Sequence, residues 1–138
     1  MKKLIGIIAI LTIIFIYGCS KQPSSIKAKQ DGKPLIVMYG DFKCPYCKKV
    51  EDKVMPKLRN KYIDKNKVKF QYVNLAFIGK DSIIGSRAQQ AVNHYAPKYS
   101  LQFQKLMFEH QKDEDKKWIT HTLIDKQIDK LNISNKTK

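Results

Sequence analysis

The first apolar run, Leu4 to Tyr17, holds fourteen residues without a charge behind a Met1-Lys2-Lys3 start. A spanning helix needs roughly twenty such residues, so the run predicts the core of a signal peptide over residues 1–18. The stretch 19–33 has no apolar period and carries Ser, Pro and Gly, the pattern of a polar tether. Leu35 to Tyr39, just after Pro34, is apolar throughout and predicts a strand covered on both faces, as in a parallel sheet. From Pro45 to about Lys61 the pattern is helical. Val50, Val54 and Leu58 recur every four residues as one buried stripe, and Pro56 predicts a kink or an early end. Val68 to Ile78 is a second strand candidate, alternating at first and then more apolar. Strand, helix, strand in this order predicts a right-handed βαβ unit over 34–80 with parallel strands.

After Gly79 the periodicity is helical throughout, so 81–138 reads as a helical region with a tail. Asp81 or Ser82 can cap a helix whose Ile84, Ala88, Ala91, Val92 and Tyr95 share a face. Pro97 breaks the chain, and Tyr99, Phe103, Leu106 and Met107 form the next stripe. A charged connector, Lys112 to Lys117, leads into a third helix with Ile119, Leu123, Ile124, Ile128 and Leu131, and Asn132 to Lys138 should fray.

The length, 138 residues, suits one domain, and 43% hydrophobic residues exclude collagen-like and wholly disordered chains. The net charge of +15 is scattered along the whole chain, without a nucleic-acid-binding module or a stacking platform. It predicts a solvated basic surface that favours anionic membrane or wall material, and no nucleic-acid partner.

Three cysteines are too few for a disulfide scaffold. Ile16-Tyr17-Gly18-Cys19 resembles the lipobox of bacterial lipoproteins, in which cleavage before the cysteine exposes it for lipidation. Tyr17 is bulkier than usual there, and the competing readings are an uncleaved signal anchor or a cysteine at that site by chance. Lipidation of Cys19 would place the chain outside the cytoplasm, anchored to the membrane. It would also leave Cys44 and Cys47 as a pair where disulfides persist.

Cys44-Pro45-Tyr46-Cys47 falls between the first strand and the first helix, the setting of thioredoxin-like redox sites. Pro45 suits the first helical position, which puts Cys44 at the N-cap among unpaired N–H groups that favour thiolate over thiol. Lys43, Lys48 and Lys49, read as exposed, add a small screened effect. Cys47 joins the Val50, Val54, Leu58 stripe and should point inward. Cys44 is then the attacking sulfur and Cys47 the resolving one, and no metal or organic cofactor is required. Zinc would need two more ligands, and the spacings of His94, His110 and His121 match no usual pattern, so the histidines read as solvated surface groups. A purely structural Cys44–Cys47 disulfide would close a loop too small to add much stability.

The chain resembles the DsbA family of thiol–disulfide oxidoreductases, in particular its Gram-positive lipoprotein members. The match is carried by Tyr39-Gly40-Asp41-Phe42-Lys43-Cys44-Pro45-Tyr46-Cys47, by Val54-Met55-Pro56-Lys57-Leu58 and by Val73 to Ala91. It runs from about Gly32 to about Leu131. The resemblance implies an α/β, thioredoxin-like fold with a helical insertion after the second strand, and the introduction of disulfides into exported proteins; the chain is expected to act as a monomer. Glutaredoxins also use C-P-Y-C, but the leader and the long helical region argue against them.

Three departures from the family shape the expectations. Tyr46 stands where many members have a thiolate-stabilising His, and Met38 where some carry a buried acid. The third is the absence of two antiparallel strands, a closing helix and a substrate-binding cis-proline loop: none of Pro23, Pro34, Pro45, Pro56 and Pro97 can be that proline. The expectation is a truncated relative with an intact motif and impaired catalysis. The alternative is a non-catalytic lipoprotein remnant or binding module.

Overall fold

The computed structural model describes residues 32–133. The signal peptide, Cys19, all but the last two residues of the tether and the end of the tail lie outside the described residues.

Strand β1 (Leu35–Gly40) pairs in parallel with β2 (Lys69–Asn74), Leu35 opposite Lys69 and Gly40 opposite Asn74. Among the described residues the sheet has these two strands. Between them run α1 (Pro45–Lys53), α2 (Met55–Leu58) and one π-helical turn at Arg59–Ile63. The expected kink falls at Val54, two residues before Pro56, because the proline ring has no N–H for the carbonyl one turn back.

The stripe expected on α1 is not the buried one. Val50 and Val54 are exposed, Val54 by 52%, and Leu58 is half-buried. Glu51 and Met55 are buried instead, so the inward face runs Cys47, Glu51, Met55, one position off the apolar period. A carboxylate is tolerated on that face because Arg59 Nη2 (2.6 Å) and Gln104 Nε2 (2.8 Å) both donate to it.

β2 is also shorter than the apolar run suggested. Leu75 N–H still donates to the Gly40 carbonyl, but Ala76 has φ 54°, a left-handed conformation that ends any strand. The chain then turns away, and the Ile78 N–H reaches the Asp41 carboxylate at 3.0 Å.

Helices α3 (Ser82–Tyr95), α4 (Ser100–Glu109) and α5 (His121–Asp129) follow, with a 3₁₀ turn at Pro97–Tyr99. Ala88 and Val92 of the expected α3 face are buried and Ile84 is half-buried, whereas Ala91 and Tyr95 are exposed. Asp81 occupies the N-cap position of α3, but neither it nor Ser82 caps the helix with its side chain: both reach across to other segments. The α4 stripe holds, with Phe108 added to Phe103 and Met107. Helix α5 starts at His121, capped by the Thr120 hydroxyl, which accepts from Leu123 N–H. Ile119 and Leu131 therefore flank the helix, though both are buried. Asn132 and Ile133, expected to fray, are held: Ile133 is buried and the Tyr99 hydroxyl donates to the Asn132 carbonyl.

The core joins the two parts of the chain through aromatic rings. Phe42, from the loop after β1, packs edge-on against Phe108 of α4 (centroids 5.2 Å) and against Phe103 (6.2 Å), and lies tilted against Tyr72 of β2 (5.4 Å). Gly85 is what lets α3 come so close, since a Cβ there would stand 2.9 Å from the Phe42 ring.

Candidate functional site

The loop Asp41-Phe42-Lys43 that delivers Cys44 is wholly buried, which is unusual for a loop and demands partners for every polar group. Asp41 Oδ1 accepts from Lys43 N–H and from the Ser82 hydroxyl, both at 2.9 Å. Lys43 Nζ donates to Asp81 Oδ1 at 3.0 Å, and Asp81 Oδ2 accepts from the N–H groups of Trp118 and Ile119. Gln111 Nε2, just past α4, donates to the carbonyls of Phe42 (2.6 Å) and Cys44 (3.0 Å). The helical part thus grips the loop from three directions.

Lys43 was expected on the surface; it is buried because its charge is matched by Asp81, 38 residues on. Lys48 is half-buried and bridges to Asp52 one turn ahead, while the Lys49 ammonium lies 4.8 Å over the Tyr46 ring. The lysines near the motif are therefore committed to other groups.

Cys44 is the N-cap of α1, with extended backbone (φ −71°, ψ 116°), and Pro45 opens the helix. The Cys44 sulfur accepts from the Cys47 N–H at 3.4 Å, the role an oxygen usually fills at this position. Both cysteines are free thiols and both are half-buried, so Cys44 is less open than its cap position suggested. Tyr46 between them is 73% exposed.

Cys47 faces inward. A Cβ added to Gly40 would lie 2.9 Å from its sulfur and 3.3 Å from the Tyr72 hydroxyl, so glycine leaves room for both. Burial, aided by the neighbouring Cys44 sulfur and opposed by the Asp41 N–H, pushes the Cys47 thiol up to about 11. At neutral pH Cys47 is a thiol.

Met38 contacts Gln104 through its sulfur at 4.0 Å and brings no acid to the site. Glu51, one helical turn after Cys47, is a buried acid on the same inward face of α1. Its burial raises its pKa against the opposing pull of Arg59 and Gln104. Sequence periodicity missed Glu51 because it counts apolar positions; the available signal was an acid four residues after Cys47. Of the histidines, His94 and His121 are exposed, but His110 is half-buried beside the Trp118 ring, not a solvated surface group.

The protein-family model described as Thioredoxin matches residues 26–138. Disulfide bond formation protein D of Bacillus subtilis is 36% identical over 109 residues, covering 76% of this chain and 49% of that protein. "Probable disulfide bond formation protein D" of Bacillus cereus is 38% identical over 96 residues, 70% of this chain and 44% of the relative. The chain thus spans about half the length of the curated relatives it matches. Among solved structures, oxidised BdbD from Bacillus subtilis superposes with a TM-score of 0.69 at 34% identity, covering 78% of this chain and 60% of that one. Chlamydia trachomatis DsbA, at 18% identity and a TM-score of 0.58 over 76% of this chain and 60% of its own, shares the fold.

Proposed function

Since the chain belongs to the thioredoxin family, we propose that it is a thiol–disulfide oxidoreductase that cycles Cys44 and Cys47 between dithiol and disulfide on exported proteins. The observation that carries this reading is the cap geometry of Cys44. A sulfur that takes the Cys47 N–H at the mouth of α1 stands one turn from a second sulfur held inward by the same helix. One sulfur can meet a substrate while the other waits beneath it.

A substrate thiolate attacks the Cys44 sulfur of the oxidised pair. A substrate–Cys44 bond forms, and the Cys44–Cys47 bond breaks with its electron pair on Cys47. A second substrate thiolate then attacks the substrate sulfur, leaving the substrate disulfide and Cys44 as thiolate. Two electrons pass to the cysteine pair, and the sulfurs alone carry them. Pro45 fixes the entry of α1, and Tyr46 offers an exposed aromatic face to the substrate chain.

The site of action follows from the leader. Cleavage before Cys19 and lipidation of its sulfur would tether the domain to the outer side of the cell membrane. No helix among the described residues is long and apolar enough to cross a membrane.

Oxidation of a dithiol peptide by the full chain, with oxidised glutathione as the terminal oxidant, tests the redox reading. Wild type should turn over and Cys44→Ala should lose all activity. Turnover independent of Cys44, or none at all, would leave the non-catalytic remnant or binding module as the better account.

A further inference from the structure

Tyr72 is a buried polar group beside the pair that the redox steps leave unused. It lies on β2 with 1% of its surface exposed, and its hydroxyl has no hydrogen-bond partner among the described residues. A buried hydroxyl without a partner is unfavourable unless some other state of the molecule satisfies it. The ring is fixed by Phe42 and Phe108, so the hydroxyl cannot swing to solvent. It opens onto the space over Gly40 that also holds the Cys47 sulfur.

The Asp41 N–H already acts on the Cys47 sulfur, and the neighbouring charged side chains are engaged elsewhere. Asp41 takes N–H and hydroxyl donors, Glu51 is held by Arg59 and Gln104, and Lys43 is paired with Asp81. Cys44 takes the Cys47 N–H. Burial first, and then the nearby Cys47, Asp41, Cys44 and Glu51, disfavour a phenolate, so the phenol keeps its proton and remains a donor.

We propose that the Tyr72 hydroxyl donates a hydrogen bond to the Cys47 thiolate formed when the Cys44–Cys47 disulfide opens, and so stabilises the leaving sulfur. The inference rests on the reading of Cys44 and Cys47 as a redox pair. As substrate sulfur bonds to Cys44, the electron pair of the broken S–S bond arrives on the half-buried Cys47, where water reaches it only in part. A poorly solvated sulfur is a slow leaving group. A donor that is idle in the dithiol and engaged only as charge develops lowers that barrier selectively. The proton stays on Tyr72 throughout, and Cys47 later takes its own from solvent.

The test is Tyr72→Phe, which removes one oxygen and keeps the ring packing. In a Cys44→Ser chain, iodoacetamide labelling of Cys47 across pH 7 to 9, read by peptide mass spectrometry, reports its thiolate fraction. Tyr72→Phe should lower that rate about tenfold at each pH, the size expected for one charge-assisted hydrogen bond. With Cys44 present, reduction of the oxidised pair by dithiothreitol should slow by a similar factor, while the melting temperature holds or rises. A ring-fluorinated tyrosine at the same position, a stronger donor, should shift both rates the other way. Unchanged Cys47 labelling, or a lowered melting temperature with unchanged rates, overturns the proposal and leaves Tyr72 a packing residue. A wild-type chain that never forms the Cys44–Cys47 disulfide would sink the redox reading, while the labelling series still decides the hydrogen bond.

Discussion

Asp81 and Glu51 are both buried carboxylates, and burial acts on both against the charged form. At Asp81 the Lys43 ammonium and the backbone N–H groups of Ile119 and Trp118 overcome burial, and the pKa falls. At Glu51 burial outweighs Arg59 and Gln104, and the pKa rises. The two should therefore leave opposite marks on stability. Asp81, with its folded value depressed, contributes above the ordinary carboxylate range and loses that contribution as pH falls through the folded value. Replacing it by Asn strands Lys43, so Asp81→Asn should cost about 3 kcal/mol at pH 7, and the deficit should shrink below roughly pH 4. Glu51 binds its proton more readily when folded, so wild type should gain on Glu51→Gln as pH falls from neutral through the raised folded value to the ordinary carboxylate range, roughly pH 4. Urea midpoints of the three proteins from neutral pH down to roughly pH 3 check both signs; parallel profiles would mean that neither environment is as the geometry implies.

On α1 the difference between the expected and the observed face has a measurable consequence. Met55→Ala should destabilise by about 2–5 kcal/mol, as buried truncations do, while Val54→Ser should change stability by less than about 0.5 kcal/mol. Equal losses in thermal unfolding would restore the apolar stripe. The same comparison shows what kind of information the sequence holds. β1, the Cys44 cap and Pro45 at the helix start were legible because each follows from neighbours within a few residues. The inward face of α1 was not, because Glu51 is acceptable there only through Arg59, eight positions on, and Gln104, fifty-three on. Lys43 looks like a surface charge for the same reason, its partner being thirty-eight residues away. β2 is shorter than its apolar run because that run continues through a residue, Ala76, whose backbone leaves the extended region. In the site, the sulfurs could be placed from spacing alone. The Asp41, Lys43, Gln111 and Tyr72 surroundings needed the fold, since each depends on contacts between segments that the sequence keeps apart.

Those long-range contacts also bear on how the whole molecule unfolds. A two-stranded sheet is at best marginal by itself, so β1, α1 and β2 must draw stability from the helices packed against them. The means are visible: Phe42 sits among α4 rings, Lys43 is tied to Asp81, and Gln111 returns to the Cys44 carbonyl. None of these links is optional for a buried loop whose polar groups have no water. The βαβ part and the helices should therefore melt together. Trp118 is the chain's single tryptophan and reports on the helical part, whereas labelling of Cys47 in urea reports on the βαβ part. The two transitions should coincide, and Phe42→Ala should lower both by the same amount, about 3–5 kcal/mol. If the tryptophan signal survived at urea concentrations where Cys47 was already fully labelled, the helices would be a separate unit. The grip on the active-site loop would then be an incidental contact, unable to hold Cys44 at its cap.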